Sequence, residues 1–417
     1  MRILHVSTRL ILGGSQENTV LSCEGQARHG HEVHLAFGPI FGPEGSLLDR
    51  VRAFRSTDGA GIETHVVPDL VRQVDPARDL RCYWQLRRLV RRLRPDVVHT
   101  HSSKAGIVGR AAAWAERRHR PGLDLGIVHT VHGPPFMPVE GPLGRRLMIR
   151  AGNAVYGVAE RYAARRCHVI VCVADAMTAL YLSKRIGRRE QYVTVHSGME
   201  TETFLSPAPG QDRRSIRASL GLDEDMFVIG TVARLAEHKG HDDVVDALAD
   251  RLRERADWRL LWVGDGWWRA RLEGRLRAEG LIDRVLITGL VPPERIPGLM
   301  RAMDVLCHPS YREGLPRTVP QALLCGTPVV AYDADGTREV CIDAIGSNTA
   351  DATGRLVPVG DRAALRAAII WMHDRPADRA ILAEHGRARC AERFSAHLMV
   401  QRLDAVYRRA IAEEARA

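Results

Sequence analysis

Short apolar runs that alternate with longer amphipathic stretches constrain the fold of this chain more than any other feature. The runs are rich in Val and Ile and recur from the first residues to the last quarter of the chain: "RILHVS", "EVHLAF", "ETHVVP", "DVVHTH", "GIVHTVHG", "VIVCVA", "QYVTVHSG", "FVIGTVA", "RLLWVGDG", "RVLITGL", "DVLCHPS", "PVVAYD" and "GRLVPV". Strands this short, separated by helical patterns, are typical of parallel sheets that helices cover on both faces. The sequence therefore predicts an α/β protein.

A polar segment interrupts this alternation near the middle of the chain. Residues 196–226 include "HSGMETETFLSPAPGQD", rich in Pro and Gly, before a new strand begins at Phe227. We therefore predict an N-terminal doubly wound domain, a C-terminal doubly wound domain and a final helix that packs back on the first domain, with the bounds 1–205, 206–393 and 394–417. Two such sheets facing each other would direct their strand C-termini into one cleft, where ligands bind in this class of fold.

Size and charge narrow the class of protein. The chain has 417 residues, 45% hydrophobic and 26% charged, with a net charge of +10, and its only lysines are at 104, 184 and 239. This composition is typical of a soluble globular protein of about two domains. Arg supplies nearly all of the positive charge, so the net charge partly reflects a codon-level preference for Arg and does not by itself indicate a partner. We therefore expect no nucleic-acid partner. Anionic lipids and phosphorylated substrates are the partners that such a field would attract.

Cysteine spacing and hydropathy predict the compartment. The eight Cys residues form no CxxC pair and no Cys/His ligand pattern, which argues against a disulfide framework and a zinc site. The N-terminal "MRILHVSTRLILGG" is typical of a strand and turn, not of a signal peptide. No apolar run is long enough for a spanning helix. We expect a cytoplasmic protein, with peripheral contact at the inner face of the membrane left open.

Two cations follow the first strand of the second half. "VIGTVARLAEHKGHDDVVDAL" leads from a strand through a turn with Arg234 and Lys239 into a helix. The unpaired N–H groups of a helix start and the helix dipole add to such side-chain charges, so an anion such as a diphosphate would bind there. The alternative is that both are solvated loop charges.

The segment "EGLPRTVPQALLCGTPVV" places an acid before a helix and a carboxamide within it. We expect Pro316 in the first helical turn, Gln321 further along, and a helix end at Gly326. Eight helical residues rise about 12 Å, so Glu313 and Gln321 touch one ligand only if it is long or if Glu313 lies back in the loop. A nucleotide sugar is such a ligand. Otherwise Gln321 is a surface residue.

Glycine turns at strand ends mark further candidate positions. Gly13 and Gly14 follow the first strand, and Gly264 and Gly266 lie in "VGDG" after a later one. Glycine lets a backbone approach a ligand closely, although each pair is also compatible with an ordinary turn. Glu17, early on the helix after the first pair, either lines an acceptor site or is a surface acid.

The strand ends of the first half carry histidines. "VHTVHGPPF" puts His132 at the end of one strand, and "VVHTH" ends another strand with His99 and His101. Lys104 lies at the next helix start, where an anionic acceptor could bind. Most of the eighteen His residues are expected to be structural or exposed. The segment "DADG", residues 333–336, mimics a metal motif but lacks further oxygen ligands, so we predict no metal site.

In this order the motifs resemble the family-4 retaining glycosyltransferases of the GT-B fold. The resemblance extends over nearly the whole chain: "LGGSQENTVL", "HTHSSKAGIVGR", "VHTVHGPPF", "VADAMTALYL", "VHSGMETETF", "GTVARLAEHKG", "VGDGWWRARLE" and "HPSYREGLPRTVPQALLCGTPVVAYDADGTREV". It implies a GT-B architecture, in which two Rossmann-like domains face each other across a cleft. No single glycine turn is specific to the family, but the ordered set is.

The resemblance also implies roles for individual residues. Arg234 and Lys239 would hold the donor diphosphate, Glu313 would meet the donor sugar, and His132 would face that sugar near the reaction centre. The donor-binding set that it implies is Gly13, Gly14, Arg234, Lys239, Gly264, Gly266, Glu313, Gly314, Leu315 and Gln321. Glu17, His101 and Lys104 are the acceptor-side candidates.

Gln321 departs from the family pattern, which has a second acid at this position. A carboxamide donates to one hydroxyl and accepts from another, whereas a carboxylate only accepts, so contact with the ribose is retained without the charge-assisted bond.

The resemblance implies a reaction. A hexosyl group would pass from a UDP-, GDP- or ADP-sugar to a hydroxyl of a sugar, glycan or lipid-linked acceptor, with retention and without a metal or other cofactor, in the synthesis of a polysaccharide, glycolipid or other glycoconjugate. The alternatives are a GT-B-like nucleotide-sugar epimerase and a catalytically silent sugar-nucleotide or glycan-binding protein. The segment "GPLGRRLMIRAGNAVYGVAERYAARR", with Leu143 and Leu147 among arginines, is either a core helix with a basic face or a membrane-contacting one.

Overall fold

The computed structural model describes residues 1–40, 45–119, 124–345 and 351–414. It divides into two compact units: Met1–Met199 together with the C-terminal segment from Ala396, and Glu200–Ser395. The division after Met199 falls inside the Pro- and Gly-rich segment 196–226, ahead of the predicted cut at 205. The last three residues of the predicted final helix, 415–417, lie outside the described residues.

The first unit is a parallel sheet with helices between its strands. Its strands and helices, in chain order, are β1 (Arg2–Ser7), α1 (Gly14–Arg28), β2 (Glu32–Phe37), α2 (Leu48–Ala53), β3 (Ile62–Val66), α3 (Pro76–Leu93), β4 (Val97–His101), α4 (Ser103–His119), β5 (Gly126–Val131), α5 (Leu143–Ala164), β6 (Val169–Cys172), α6 (Asp175–Ser183) and β7 (Tyr192–Thr194). The strands pair in the order β3-β2-β1-β4-β5-β6-β7. Among the described residues, every strand pairing within this sheet is parallel.

The second unit repeats this plan. Its strands and helices are α7 (Thr201–Leu205), α8 (Arg213–Leu220), β8 (Phe227–Val232), α9 (His241–Glu254), β9 (Trp258–Val263), α10 (Arg269–Ala278), β10 (Val285–Ile287), α11 (Ile296–Ala302), β11 (Val305–His308), α12 (Thr318–Leu324), β12 (Val329–Tyr332), β13 (Gly354–Val357), α13 (Arg362–Asp374) and α14 (Pro376–Arg393). The strand order is β10-β9-β8-β11-β12-β13, again parallel. Its core is closed by large buried side chains such as Trp262 and Tyr332.

The C-terminal helix α15 (Ala396–Glu414) belongs to the first unit. It packs on α1 and β5 of the first unit, as the sequence predicted for the final helix. In the sequence, Leu398, Leu403, Val406 and Ile411 have helical spacing. The buried apolar side chains of the helix are Met399, Val400, Leu403, Val406, Tyr407 and Ala410, so only Leu403 and Val406 belong to both sets.

Both sheets have a topological switch point. The order places β1 beside β4 and β8 beside β11, and the sheet grows outward in opposite directions from each pair. Ligands of doubly wound sheets bind outside the carboxyl ends of the strands at this point. Each run quoted from the sequence coincides with one of these strands to within one residue at its start, which confirms the predicted α/β class. Among the described residues, no helix is both long and apolar enough to span a bilayer.

Candidate active site

The central cluster of the second unit lies at its switch point. Lys239 is in a short 3-10 turn after β8, just ahead of α9, and Glu313 is in the loop after β11. Since β8 and β11 are hydrogen-bonded neighbours, both loops leave the same edge of the sheet. Residues separated by more than seventy positions in sequence are thereby brought into contact.

Glu313 and Lys239 form the centre of this cluster. The Lys239 Nζ atom lies 2.5 Å from Glu313 Oε1 and 3.3 Å from Ser310 Oγ. His308 Nε2 lies 3.2 Å from the same Oε1 atom, and its Nδ1 is 3.2 Å from Thr318 Oγ1. An ammonium has three N–H groups, so two of those of Lys239 are used and the third can serve a ligand. The described residues offer Glu313 Oε2 no hydrogen bond, so it is available to a hydroxyl.

The environment keeps Glu313 ionised. Its side chain is only 14% exposed, and burial alone would raise the pKa of the carboxyl. The nearby charge of Lys239 and the contact with His308 outweigh burial and hold this pKa well below its usual range. The cluster therefore presents a fixed negative charge beside a fixed positive one.

Arg234 lies on the exposed side of the same loop. Its guanidinium carbon is 5.6 Å from the ring centre of Trp267, a distance at which a cation and an aromatic face attract each other. Partial desolvation and then the charge of Lys239 lower the pKa of His238, and Arg234 adds to this effect. Lys239 and Arg234, the two cations predicted from the sequence, therefore both act on the His238 ring, as expected if they lie on the same surface of the loop.

Two glycines allow the loops of the second unit to come this close. Gly240 has φ +70°, and a Cβ atom there would lie 2.1 Å from the carbonyl oxygen of Pro309. Gly264 has φ +139°, and its Cβ would lie 2.2 Å from the carbonyl oxygen of Ala233. Both contacts are with backbone, which cannot move aside, so these positions require glycine for packing of the loops after β8, β9 and β11. Gly266 is similarly close to Leu235.

Helix α12 starts later than the sequence predicted. It begins at Thr318, so Pro316 precedes the helix and is not in its first turn, while Glu313 lies back in the loop. This corrects the prediction for Pro316. Gln321 is 8% exposed, and its carboxamide makes no hydrogen bond to the described residues. A nearly buried amide without a protein partner is unusual and is suited to a ligand. The surface alternative for Gln321 is thereby removed.

The segment between Glu313 and α12 is packed inward. Gly314 and Leu315 are both buried, and Leu315 is 6% exposed. The Leu315 side chain therefore belongs to the packed interior of the second unit.

The two acids of "DADG" have separate partners. Asp333 is ion-paired with Arg338, whereas Asp335 accepts the backbone N–H of Glu313 at 2.8 Å. Asp335 has φ +46°, a left-handed conformation that Asp tolerates better than most residues. The loop therefore positions Glu313.

In the first unit, the glycine pair lies at the switch point after β1. Gly13 caps α1 with φ 177°, an extended conformation open to any residue, and Gly14 is the first residue of that helix. Both glycines are exposed, and Glu17 follows half-buried in the first turn. The backbone conformation at Gly13 therefore does not require glycine. The interpretation from the sequence, that glycine there lets a ligand approach the backbone closely, stays a prediction.

The histidines of the first unit meet at the ends of β4 and β5. His132 Nε2 lies 3.0 Å from His101 Nδ1, and His101 Nε2 lies 2.9 Å from His5 Nδ1. His101 is only 2% exposed, which does not fit direct contact with an acceptor. Lys104 is ion-paired with Asp79 of α3, so its charge is already matched. His132 is half-buried and is the most accessible of these rings.

Sequence reasoning missed two members of the second-unit cluster, His308 and Ser310, and considered Asp335 only as part of the "DADG" segment. The first two lie in "DVLCHPS", where polar residues directly follow a buried strand. That position was a usable signal, because strand ends of parallel sheets carry ligand-binding groups. For Asp335 the sequence indicated the loop after a strand but not the contact with Glu313, because that contact depends on how two loops fold together.

Two doubly wound units, with glycine turns and polar clusters at the switch points, define the GT-B class of sugar-nucleotide enzymes. Residues 12–203 match the model of "Glycosyltransferase Family 4", and residues 212–389 match that of "Glycosyl transferases group 1". The chain belongs to this glycosyltransferase family and is an enzyme of that kind.

Relatives and solved structures agree with this assignment. The 2-deoxystreptamine glucosyltransferase of Streptomyces kanamyceticus is 30% identical over 359 residues, covering 78% of this chain and 90% of that one. An Escherichia coli enzyme, UDP-Gal:alpha-D-GlcNAc-diphosphoundecaprenol alpha-1,3-galactosyltransferase, is 27% identical over 351 residues, covering 81% of this chain and 81% of that one. The structure of Anabaena HepE in complex with UDP-glucose has a TM-score of 0.75 at 21% identity, covering 97% of this chain and 99% of that one.

Proposed function

We propose that this glycosyltransferase moves a hexosyl group from a nucleoside diphosphate sugar to an acceptor hydroxyl with retention of the anomeric configuration. The observation that carries the proposal is the contact of Lys239 with Glu313 at the switch point of the second unit. On this proposal the cation serves the leaving diphosphate, and the carboxylate beside it serves the sugar. The complexes of HepE with UDP and UDP-glucose make a UDP-hexose the first donor to test.

The proposed chemistry breaks one bond and forms another on the same face of the sugar. The bond from the anomeric carbon to the diphosphate oxygen breaks, and negative charge grows on the diphosphate. Lys239 and Arg234 stabilise this charge because they are already oriented when it develops. The acceptor oxygen bonds to the anomeric carbon and passes its proton to a phosphate oxygen. Glu313 and His132 position the sugar, and no residue serves as a covalent nucleophile.

The proposed donor site extends from Glu313 to Gln321. Glu313 Oε2 accepts a sugar hydroxyl, the Lys239 ammonium holds a phosphate oxygen, and the Gln321 amide contacts the ribose. On this proposal the reaction needs no metal, because the two cations supply the charge that a divalent ion would supply.

A panel of UDP-, GDP- and ADP-sugars with sugar and lipid-linked acceptors tests the proposal, with EDTA in parallel reactions. We expect release of nucleoside diphosphate only when donor and acceptor are both present, and an α-linked product from an α-linked donor. An isomerised donor without acceptor would indicate the epimerase, and donor binding without turnover would indicate the silent binder. Inversion of the anomeric centre, or loss of activity in EDTA that Mg²⁺ restores, would contradict the mechanism.

Substitution of Gln321 tests the proposed ribose contact. Gln321→Ala is expected to raise the KM for the donor about fivefold, since about 1 kcal/mol of hydrogen bonding is lost. Gln321→Glu should leave this KM the same or lower it, because a carboxylate accepts ribose hydroxyls more strongly. Steady-state kinetics with varied donor measures both. A collapse of kcat in folded Gln321→Glu would mean that the amide donates a bond that this proposal lacks.

A surface of α5 supports contact with an anionic membrane. Five of its large apolar side chains are more than half exposed: Leu143, Leu147, Met148, Val155 and Val158. Three exposed arginines lie among them at 145, 146 and 150, and residues 141–159 contain no acid. Apolar side chains beside uncompensated arginines favour the interface of an anionic bilayer.

Vesicle co-sedimentation tests this surface. We expect binding to vesicles that contain phosphatidylglycerol and much weaker binding to neutral phosphatidylcholine vesicles. Leu147→Glu with Met148→Glu should abolish the difference without changing the melting temperature, because both side chains are exposed. Equal binding to the two vesicle types, or no effect of the double substitution, would remove the membrane role.

A further inference from the structure

A chain of hydrogen-bonded histidines leads from the interior of the first unit to His132. His5 is fully buried on β1, and its Nδ1 lies 2.9 Å from Nε2 of His101 on β4. The other nitrogen of His101, Nδ1, lies 3.0 Å from Nε2 of His132. The rings of His5 and His101, and those of His101 and His132, are nearly parallel. The three imidazoles therefore form one continuous path.

The inner end of this path is held by helices α1 and α15. Gln26 of α1 accepts from His5 Nε2 at 2.7 Å and donates its amide N–H to the Tyr407 hydroxyl of α15, also at 2.7 Å. The same hydroxyl is 2.7 Å from His99 Nδ1, and His99 Nε2 is 2.7 Å from Thr130 Oγ1. Tyr407 is fully buried. The C-terminal helix thus closes a network that reaches His132.

Burial keeps these rings neutral. It lowers the pKa of His5 to about 4, and it holds the pKa values of His99 and His101 well below the usual range. A neutral imidazole donates through one nitrogen and accepts through the other. Along a chain of such rings, the position of one proton therefore decides the position of the next.

The orientation of Gln26 selects one of two proton orders. With its carbonyl toward His5, His5 donates from Nε2 and accepts at Nδ1 from His101. His101 in turn accepts at Nδ1 from His132, whose proton is then on Nε2. Turning the amide by 180° reverses every donor and acceptor, including those of Tyr407 and His99. A mixture of the two proton orders would bring two donors or two acceptors together at one contact, and that buried hydrogen bond would be lost.

An ion held by the buried rings is the competing explanation. Nitrogen atoms of His5, His99 and His101 lie close enough together to ligate one metal. However, the 2.9 Å separation between His5 and His101 is that of a hydrogen bond, and both nitrogens of His99 are used by Tyr407 and Thr130. The hydrogen-bonded network accounts for every one of these nitrogens, so it is the better reading.

We propose that Gln26 and Tyr407 are positioning residues that act through His5 and His101 to fix which nitrogen of His132 carries the proton. The inference rests on the role proposed above for His132 at the donor sugar. It gives the C-terminal helix a part in the reaction beyond packing, since its tyrosine hydroxyl holds the amide that orders the chain. Preorganised hydrogen-bonding groups of this kind keep a catalytic ring from having to reorient during the reaction.

Tyr407→Phe tests the network with the smallest possible change. Loss of the hydroxyl leaves the Gln26 amide N–H without its acceptor and favours turning that N–H toward His5, so we expect the second tautomer of His132 to become populated, a fall in kcat of about tenfold and a donor KM within about twofold of wild type. Nitrogen-15 NMR of histidine-labelled protein reports the tautomers, with the His132 signals assigned by their loss in His132→Gln. Tyr192→Phe is the matched control, because it also removes a hydroxyl bond, to the Ile186 carbonyl, but lies outside the network.

Gln26→Glu supplies a second variant. A carboxylate only accepts, so His5 must donate from Nε2, and the Nε2-protonated form of His132 should be retained with kcat within about threefold of wild type. Unchanged His132 nitrogen shifts in folded Tyr407→Phe, or stoichiometric Zn²⁺ in the purified wild-type protein, would overturn the inference. His132→Ala separates it from the proposed function: if activity persists while Tyr407→Phe still shifts the tautomers, the network is real and the role of His132 is wrong.

Discussion

Replacement of Lys239 by Ala is expected to lower kcat by about a hundredfold or more, on the order of 3 kcal/mol of barrier. The ammonium lies 2.5 Å from Glu313 Oε1, and with Ser310 taking a second N–H it retains one for a phosphate. Its loss removes the charge that faces the departing diphosphate. Arg234→Ala is expected to have an effect of the same order. Single-turnover rates at saturating donor measure both, because they isolate the chemical step from product release.

The second unit offers a matched control for the arginine. Arg271 also lies over an indole ring, that of Trp268 at 4.2 Å, and it forms an ion pair with Asp242 on α9. Arg271→Ala removes the same charge from the same unit, so its rate should stay within about twofold of wild type, because a surface ion pair contributes little. Exposed Lys184 in the first unit is the control for the lysine. Wild-type rates in folded Arg234→Ala and Lys239→Ala would remove both cations from the reaction.

Glu313→Gln is expected to lower kcat by a similar factor, about a hundredfold. The amide still accepts a hydrogen bond from Lys239, so the loop should keep its shape, but the negative charge that faces the developing positive charge of the sugar is gone. Exposed Glu294→Gln in the same unit is the control. A rate within threefold of wild type, with the variant folded, would mean that Glu313 holds Lys239 in place and does not act on the sugar.

The same variant predicts a pH dependence of stability. The pKa of Glu313 is depressed in the folded protein, so its contribution to the free energy of unfolding is present above the ordinary carboxyl pKa of about 4.5 and is lost as the pH falls toward the folded value. The stability difference between wild type and Glu313→Gln should therefore be constant from pH 6 to 8 and shrink below about pH 4.5. Chemical unfolding at several pH values measures it. A difference that grows on acidification would reverse the sign and contradict the ion pair.

Part of the candidate site could be predicted from the sequence, because it depends only on the order of strands, loops and helices along the chain. Arg234 and Lys239 follow a buried strand and precede a helix, and Glu313 follows another, so a parallel sheet alone places all three at strand C-termini. Gln321 shows the limit of this reasoning. The sequence left open whether it is a surface residue, and only the packing of α12 makes it 8% exposed with an unused amide.

Other parts depend on contacts between distant loops. His101 has the spacing of an accessible strand-end residue, yet β1 and β5 enclose it between His5 and His132. Pro316 has the preferences of a first helical turn, but the helix begins two residues later because the preceding loop folds inward to place Glu313. Propensity describes a residue and its near neighbours, whereas burial is decided by elements that are remote in sequence.

The sequence by itself determined the α/β class, the positions of the strands, the two doubly wound halves and the cations and acid at the ends of β8 and β11. These follow from hydrophobic periodicity and turn chemistry, which are local properties. Only the tertiary structure decided that Lys239 touches Glu313, that Asp335 holds it, and that Tyr407 near the C-terminus meets Gln26 near the N-terminus. Such pairings depend on the order of strands in the sheet and on side-chain packing, and the spacing of residues along the chain determines neither of these.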